Sequence, residues 1–159
     1  IMQSASAVAE TEEMPLAATS GRILAEPVRA QAAVPPFDNS AMDGYAINTG
    51  SLTGAGPWRL DVIARIAAGR VDHTRIGAGE AAQIFTGAPI PQGADAVVMQ
   101  EDVDVLDGSI FISKKITPYT HIRTAGEDML AGATIVPSGR NITAREIAAC
   151  AAAGATRLE

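Results

Sequence analysis

The chain has 159 residues, which suits one compact domain or two small ones sharing a core. Hydrophobic residues make up 47% and mean hydropathy is +0.15, so there is ample material to bury and disorder along the whole chain is excluded. A formal charge of −6 argues against a general affinity for nucleic acid or anionic membrane, and the single Cys150 excludes an internal disulfide framework or a Cys-based zinc knuckle.

Aromatic residues are only 4%, against 15 glycines and 9 prolines, so the core is expected to be built from small and β-branched side chains between many turns. The longest apolar stretch, residues 147–155, is far short of the roughly 20 residues that cross a bilayer. Ala5-Ser6-Ala7 mimics a signal-cleavage tripeptide, but no basic or apolar region precedes it, so a soluble cytoplasmic protein is expected. The first dozen residues read like the tail of a helix whose beginning is absent. The last five open an element with no room to continue. A fragment of a longer protein is the expectation.

In chain order, residues 16–28 hold a short helical turn or an extended piece, and Val34-Pro35-Pro36-Phe37 is extended, because residues before proline avoid the α region. Turn formers fill 38–44, and a strand resumes at Tyr45. Residues 57–67 alternate (Trp58, Leu60, Val62, Ala64, Ile66) as a half-buried strand does. After a turn at 77–80, a strand is expected over 82–85. Two prolines and two glycines then bar regular structure from 86–95. A buried strand at 96–99 is followed by a hairpin, 103–106 and 109–112, around Asp107-Gly108. Residues 116–122 are expected to be extended, 124–128 a loop and 133–136 a strand. Thr143-Ala144-Arg145-Glu146 is a capping box opening a helix that stops at Gly154. In that helix Ile147, Ala151 and Gly154 are expected on one side suited to close helix packing, either across a dimer or, more plainly, as an ordinary core face, with Cys150 as a small core residue. The architecture is predominantly β, with a β subdomain over about 37–128 inserted into a unit made by the two ends.

Three loops carry residue types that chemistry needs. Asp38-Asn39-Ser40-Ala41-Met42-Asp43-Gly44 offers hard oxygen ligands of the kind Mg²⁺ takes beside substrate oxygens, or else a plain Asp-Gly turn. Phe85-Thr86-Gly87 leaves a hydroxyl and bare backbone amides to an oxyanion, or else Thr86 satisfies its own turn. Arg123 can grip an oxyanion bidentately. Glu127 and Asp128 beside it either hold a metal or hold Arg123, and a salt-bridged surface loop is the plainer alternative. Other patterns fail. Gly54-Ala55-Gly56-Pro57 leads into no helix, His73 and His121 lack partners at metal-ligand spacing, and no Gly-x-Ser-x-Gly elbow exists.

Taken in order, PPFDNSAMDGYA (35–46), IFTGAPIPQGADAVVMQED (84–102) and IRTAGEDMLAGATIVPSG (122–139) resemble the N-terminal half of the molybdopterin molybdotransferases, a family that includes the C-terminal domain of gephyrin. The flanking GRILAEPV (21–28) and the 143–154 helix match too, so the likeness covers nearly the whole chain. It implies a mainly β (α+β) fold of coiled or bifurcated sheets with few helices. Residues 1–36 and 129–159 would form an elongated dimerisation unit, and 37–128 an inserted β-rich domain. It implies insertion of molybdate into adenylylated molybdopterin, with release of AMP and a requirement for Mg²⁺, by a homodimer acting after a molybdopterin adenylyltransferase. Asp43, Thr86 and Asp128 are the implied catalytic residues. Arg123 and Ser40 are the implied oxyanion binders, and Asp43, Asp128 and Glu127 the implied ligands of Mg²⁺ or molybdate. The family's pterin-binding α/β domain and small C-terminal β domain are missing here, so the chain is expected to be inactive alone. Thr124 and Ala125 also stand where members often carry further arginines. The rival reading is a scaffold that only dimerises and binds partners.

Overall fold

The computed structural model describes residues 10–70 and 72–159. Its strands, in chain order, are β1 (Met14–Pro15), β2 (Val28–Arg29), β3 (Asn39–Ser40), β4 (Gly44–Ile47), β5 (Trp58–Ile66), β6 (Glu80–Ile84), β7 (Ala96–Met99), β8 (Val103–Leu106), β9 (Ser109–Ile112), β10 (Ile122–Arg123), β11 (Thr134–Val136) and β12 (Arg157–Leu158). A single α-helix, α1 (Ala144–Ala152), lies between β11 and β12. The fold is therefore mainly β.

Two compact units divide the chain, one from Ile1–Val34 with Asp128–Glu159 and one from Pro35–Glu127. The second is dominated by a six-stranded sheet in the order β7-β4-β6-β5-β9-β8, in which only the β5–β6 pair is parallel. Alternate residues feed opposite faces of this sheet. Tyr45, Ile47, Ala81 and Val98 join Leu60 and Ile110 in one core cluster, while Ala46, Ala82 and Val97 join Ile66 and Ile84 in another. That two-sided burial explains why β4, Gly44 to Ile47, is buried along its whole length. β5 shows the alternation read from its sequence, with Leu60 and Ile66 buried and Arg59, Asp61, Ile63 and Arg65 exposed. Asp107 and Gly108, at φ 49° and 77°, form the two-residue turn of the β8–β9 hairpin.

The first unit packs around Leu24, Val28, Val136, Ile142, Cys150 and Leu158. Its α1 begins at the expected capping box. The Thr143 hydroxyl accepts from the Arg145 N–H at 3.3 Å and donates to Glu146, while the Thr143 N–H donates to Glu146 Oε2 at 3.0 Å. Arg140 Nε donates to the other carboxylate oxygen at 3.2 Å. The chain turns out of the helix at Gly154, φ 89°.

Three expectations change. The core-face reading of α1 changes: its buried residues are Glu146 and Cys150, with Ala153 just beyond its end, and Ile147 packs part-buried on the same core while Ala151 is exposed; an alanine-rich helix offers little contrast between faces. Residues 116–122 are not extended throughout, because Pro118 and the Thr120 hydroxyl, which donates to the Thr117 carbonyl at 2.7 Å, make a turn that leaves only Ile122–Arg123 as strand. The last residues are not an open beginning, since β12 pairs antiparallel with β1. Of the expected N-terminal helix tail, residues 1–9 lie outside the described residues and 10–13 are irregular. Among the described residues no helix is long and apolar enough to cross a membrane.

The Thr143 hydroxyl, and then its N–H, pull the Glu146 carboxyl down to about 2 from an ordinary 4.5. A carboxylate held below its unfolded value stabilises the fold fully above the unfolded value and loses that contribution as pH falls towards the folded one. Urea unfolding at a series of pH values should therefore show a flatter loss of stability below the ordinary carboxyl value in Glu146→Gln than in the parent. Thr143→Ala should cost about 1 kcal/mol near neutral pH.

Candidate functional site

The three quoted segments meet on β3. Ser40 and Asn39 pair antiparallel with Ile122 and Arg123 of β10, and Asn39 also bridges Pro89. Ser40 donates its N–H to the Ala88 carbonyl at 3.0 Å and accepts the Gly87 N–H at 2.8 Å, while Ala41 donates to the His121 carbonyl at 2.9 Å. One short strand thus ties the 86–89 turn to the 121–125 loop.

Asp43 stands just before β4, and Thr86 lies two residues beyond the end of β6. The β4–β6 register sets Gly44 opposite Ile84, which brings the two side chains together. The Thr86 N–H donates to Asp43 Oδ1 at 2.8 Å and its hydroxyl donates to the same oxygen at 2.7 Å. These bonds, the backbone one first, hold the Asp43 carboxyl below its ordinary value of 3.8. Among the described residues no hydrogen bond engages Oδ2. On the other side of β4, β7 sets Met99 opposite Gly44, and the Gln100 N–H donates to the Asp43 carbonyl at 3.2 Å. The result is an open cavity of ≈ 350 Å³ lined by Met42, Asp43, Thr86, Met99, Gln100 and Glu101.

This geometry revises several expected roles. Gly44 is not a turn glycine but a strand residue passing close to its neighbour: a Cβ there would lie 2.0 Å from the Val98 carbonyl oxygen. The amides after Phe85 are not bare. Thr86 is bonded to Asp43, Gly87 to Ser40 and Ala88 to Phe85. The single Thr86 hydroxyl hydrogen is also spent on Asp43, so towards a ligand this oxygen acts as an acceptor, not as an oxyanion donor. Ser40 is fully buried, with its hydroxyl on the Met42 carbonyl at 2.6 Å, so it does not reach a substrate.

Arg123 and Glu127 form a second cluster. Arg123 Nε donates to Glu127 Oε1 at 2.5 Å, and Glu127 Oε2 accepts the Thr124 N–H at 3.2 Å. Asp38 Oδ1 accepts the Ala125 N–H at 2.8 Å. Of the alternatives read from sequence, Glu127 therefore holds Arg123 and its own loop. Asp128 belongs to the other unit, where its N–H donates to the Val34 carbonyl at 3.0 Å. Among the described residues no three His, Cys, Asp or Glu side chains are grouped to hold a metal ion. The residue that sequence reading missed is Glu101, the second carboxylate of the Asp43 cavity. Its signal was its place two residues after the buried 96–99 strand, but only the β4–β7 register shows which loop it faces.

The fold and this β3-centred site define a β-rich, two-unit N-terminal region of the molybdopterin-biosynthesis class. Residues 1–154 match the model of the MoeA N-terminal region (domain I and II), and the chain belongs to that family. It is 40% identical over 148 residues to molybdopterin molybdenumtransferase 2 of Mycobacterium tuberculosis, covering 91% of this chain and 36% of the relative. It is 39% identical over 146 residues to the molybdopterin molybdenumtransferase of a Nostoc species, covering 90% and 34% respectively. The crystal structure of the molybdopterin biosynthesis moeA protein of Pyrococcus horikoshii OT3 superposes with a TM-score of 0.88 at 33% identity, covering 95% of this chain and 41% of that one. The chain thus spans roughly a third of the length of the curated relatives it matches.

Two variants test the geometry. Thr86→Val should let the Asp43 carboxyl return part of the way towards 3.8, read from carboxyl carbon shifts in an NMR pH titration. Gly44→Ala should cost about 3 kcal/mol in denaturant unfolding, because the neighbouring strand must move.

Proposed function

We propose that this chain is the N-terminal part of an enzyme that inserts molybdate into adenylylated molybdopterin, releasing AMP and forming molybdenum cofactor. The observation that carries the reading is the Asp43–Thr86 pair, built by two strands and a turn into a cavity shared with Glu101. Displacing AMP from a phosphoanhydride asks for positioning and charge neutralisation more than for a strong base. Asp43, held as carboxylate by two donors from Thr86, supplies a fixed negative oxygen. The Thr86 hydroxyl oxygen and Glu101 add further acceptors.

Two carboxylates on one open cavity suit a hard cation, since Mg²⁺ takes one or two carboxylates together with substrate phosphate oxygens. Asp43 and Glu101 are the residues that would hold it. When bound, the ion would neutralise charge on the phosphoanhydride oxygens. Arg123, oriented by Glu127, is the proposed grip for an oxyanion, and Asp128 is carried over as a catalytic residue on the strength of its place in the GED segment. The chain alone is proposed to be inactive. The homodimer, an adenylyltransferase acting upstream and a cytoplasmic setting belong to the same proposal and rest on family membership.

The test is Asp43→Ala in the longer protein, assayed with adenylylated molybdopterin, molybdate and Mg²⁺. Transfer is expected to fall at least ~100-fold, with the oligomeric state in sedimentation unchanged. Undiminished transfer would reject the role of Asp43, and absence of transfer in the parent itself would favour the scaffold reading.

A further inference from the structure

We propose that Ser40 is a positioning residue for the Asp43–Thr86 pair: its buried hydroxyl folds the 40–43 arc so that the Asp43 carboxylate meets the two donors of Thr86. The role in transfer rests on the function proposed for Asp43; the geometry does not.

Ser40 is 0% exposed, so no ligand touches it. Its hydroxyl closes a local ring by donating to the Met42 carbonyl at 2.6 Å and accepting the Met42 N–H at 3.3 Å. That ring fixes the direction in which the chain leaves β3, one residue before Asp43. Its backbone grips the other partner of the pair. The Ser40 N–H reaches the Ala88 carbonyl at 3.0 Å and its carbonyl receives the Gly87 N–H at 2.8 Å, and these are the two residues that follow Thr86. Ser40 is thus bonded on one side to the arc that delivers the carboxylate, and on the other to the turn that delivers its donors. Alanine would keep the backbone half of this arrangement and lose the side-chain half.

Met42 is exposed, so water can take over its N–H and carbonyl when the hydroxyl is removed. The expected consequence is a loosened arc within an intact sheet. This separates a positioning role from a purely structural one.

The experiment uses the chain itself, with amide spectra and hydrogen exchange of Ser40→Ala against the parent. Asp43→Asn serves as the reference for loss of the charged acceptor at the Thr86 amide. In Ser40→Ala the Thr86 amide is expected to move in the direction set by Asp43→Asn and to exchange about tenfold faster, while Ala82 and Ile110 in the sheet stay protected. An unmoved Thr86 amide beside an intact sheet overturns the proposal. Should the sheet lose protection as well, Ser40→Thr, which keeps the hydroxyl, decides it: a Thr86 amide at the parent position supports the role, and a displaced one overturns it. None of these readouts involves turnover, so they stand or fall separately from the activity of Asp43→Ala.

Discussion

The candidate site depends on one short stretch of backbone that serves two neighbours at once. Residues 38–41 pair with 122–123 on one side and with 87–90 on the other, and the side chains of Asp38 and Ser40 fasten the loops that follow. Loops usually carry functional groups on a rigid scaffold. Here the stiffness is supplied by hydrogen bonds between the loops themselves, since β3 and β10 are only two residues each. A polar backbone segment buried at this depth is tolerated because its donors and acceptors find partners.

Packing and electrostatics reinforce each other around Asp43. The absence of a side chain at Gly44 lets β4 approach the Val98 carbonyl, and this approach puts Gln100 and Glu101 beside the aspartate. The sheet behind is built from small and β-branched residues, buried on both faces, so the strand ends have little freedom to shift. Thr86 then adds its donors. Its role towards the aspartate is that of the residue orienting a functional group, while the cavity sets the oxygen acceptors of Asp43, Thr86 and Glu101 among the side chains of Met42 and Met99.

Much of the scaffold was legible in the chain. The β5 alternation, the Asp107-Gly108 hairpin and the Thr143–Glu146 capping box are local signals, and each is fixed by residues a few positions apart. The turn at 118–121 departs from the extended pattern of its sequence because proline and threonine chemistry outweighs its apolar residues. The site was only partly legible. The residue types in the 38–44, 86–89 and 123–128 segments pointed to the right loops, but the direction of a hydroxyl hydrogen, the burial of Ser40 and the proximity of Glu101 depend on strand register. Register between strands as distant along the chain as β4 is from β6 and β7 leaves no mark in any one segment.

The Thr86 hydroxyl has one hydrogen, and the aspartate claims it. If Asp43 were protonated, that oxygen would no longer need to receive it, and the threonine could swing its hydrogen outward; the wall would then offer donors where it had offered lone pairs. Because Thr86 itself keeps Asp43 ionised below the usual carboxyl range, this inversion is confined to strongly acidic solution. At the pH of ordinary cell interiors the pair is locked into one polarity, and the surface reads the same way to every molecule that arrives.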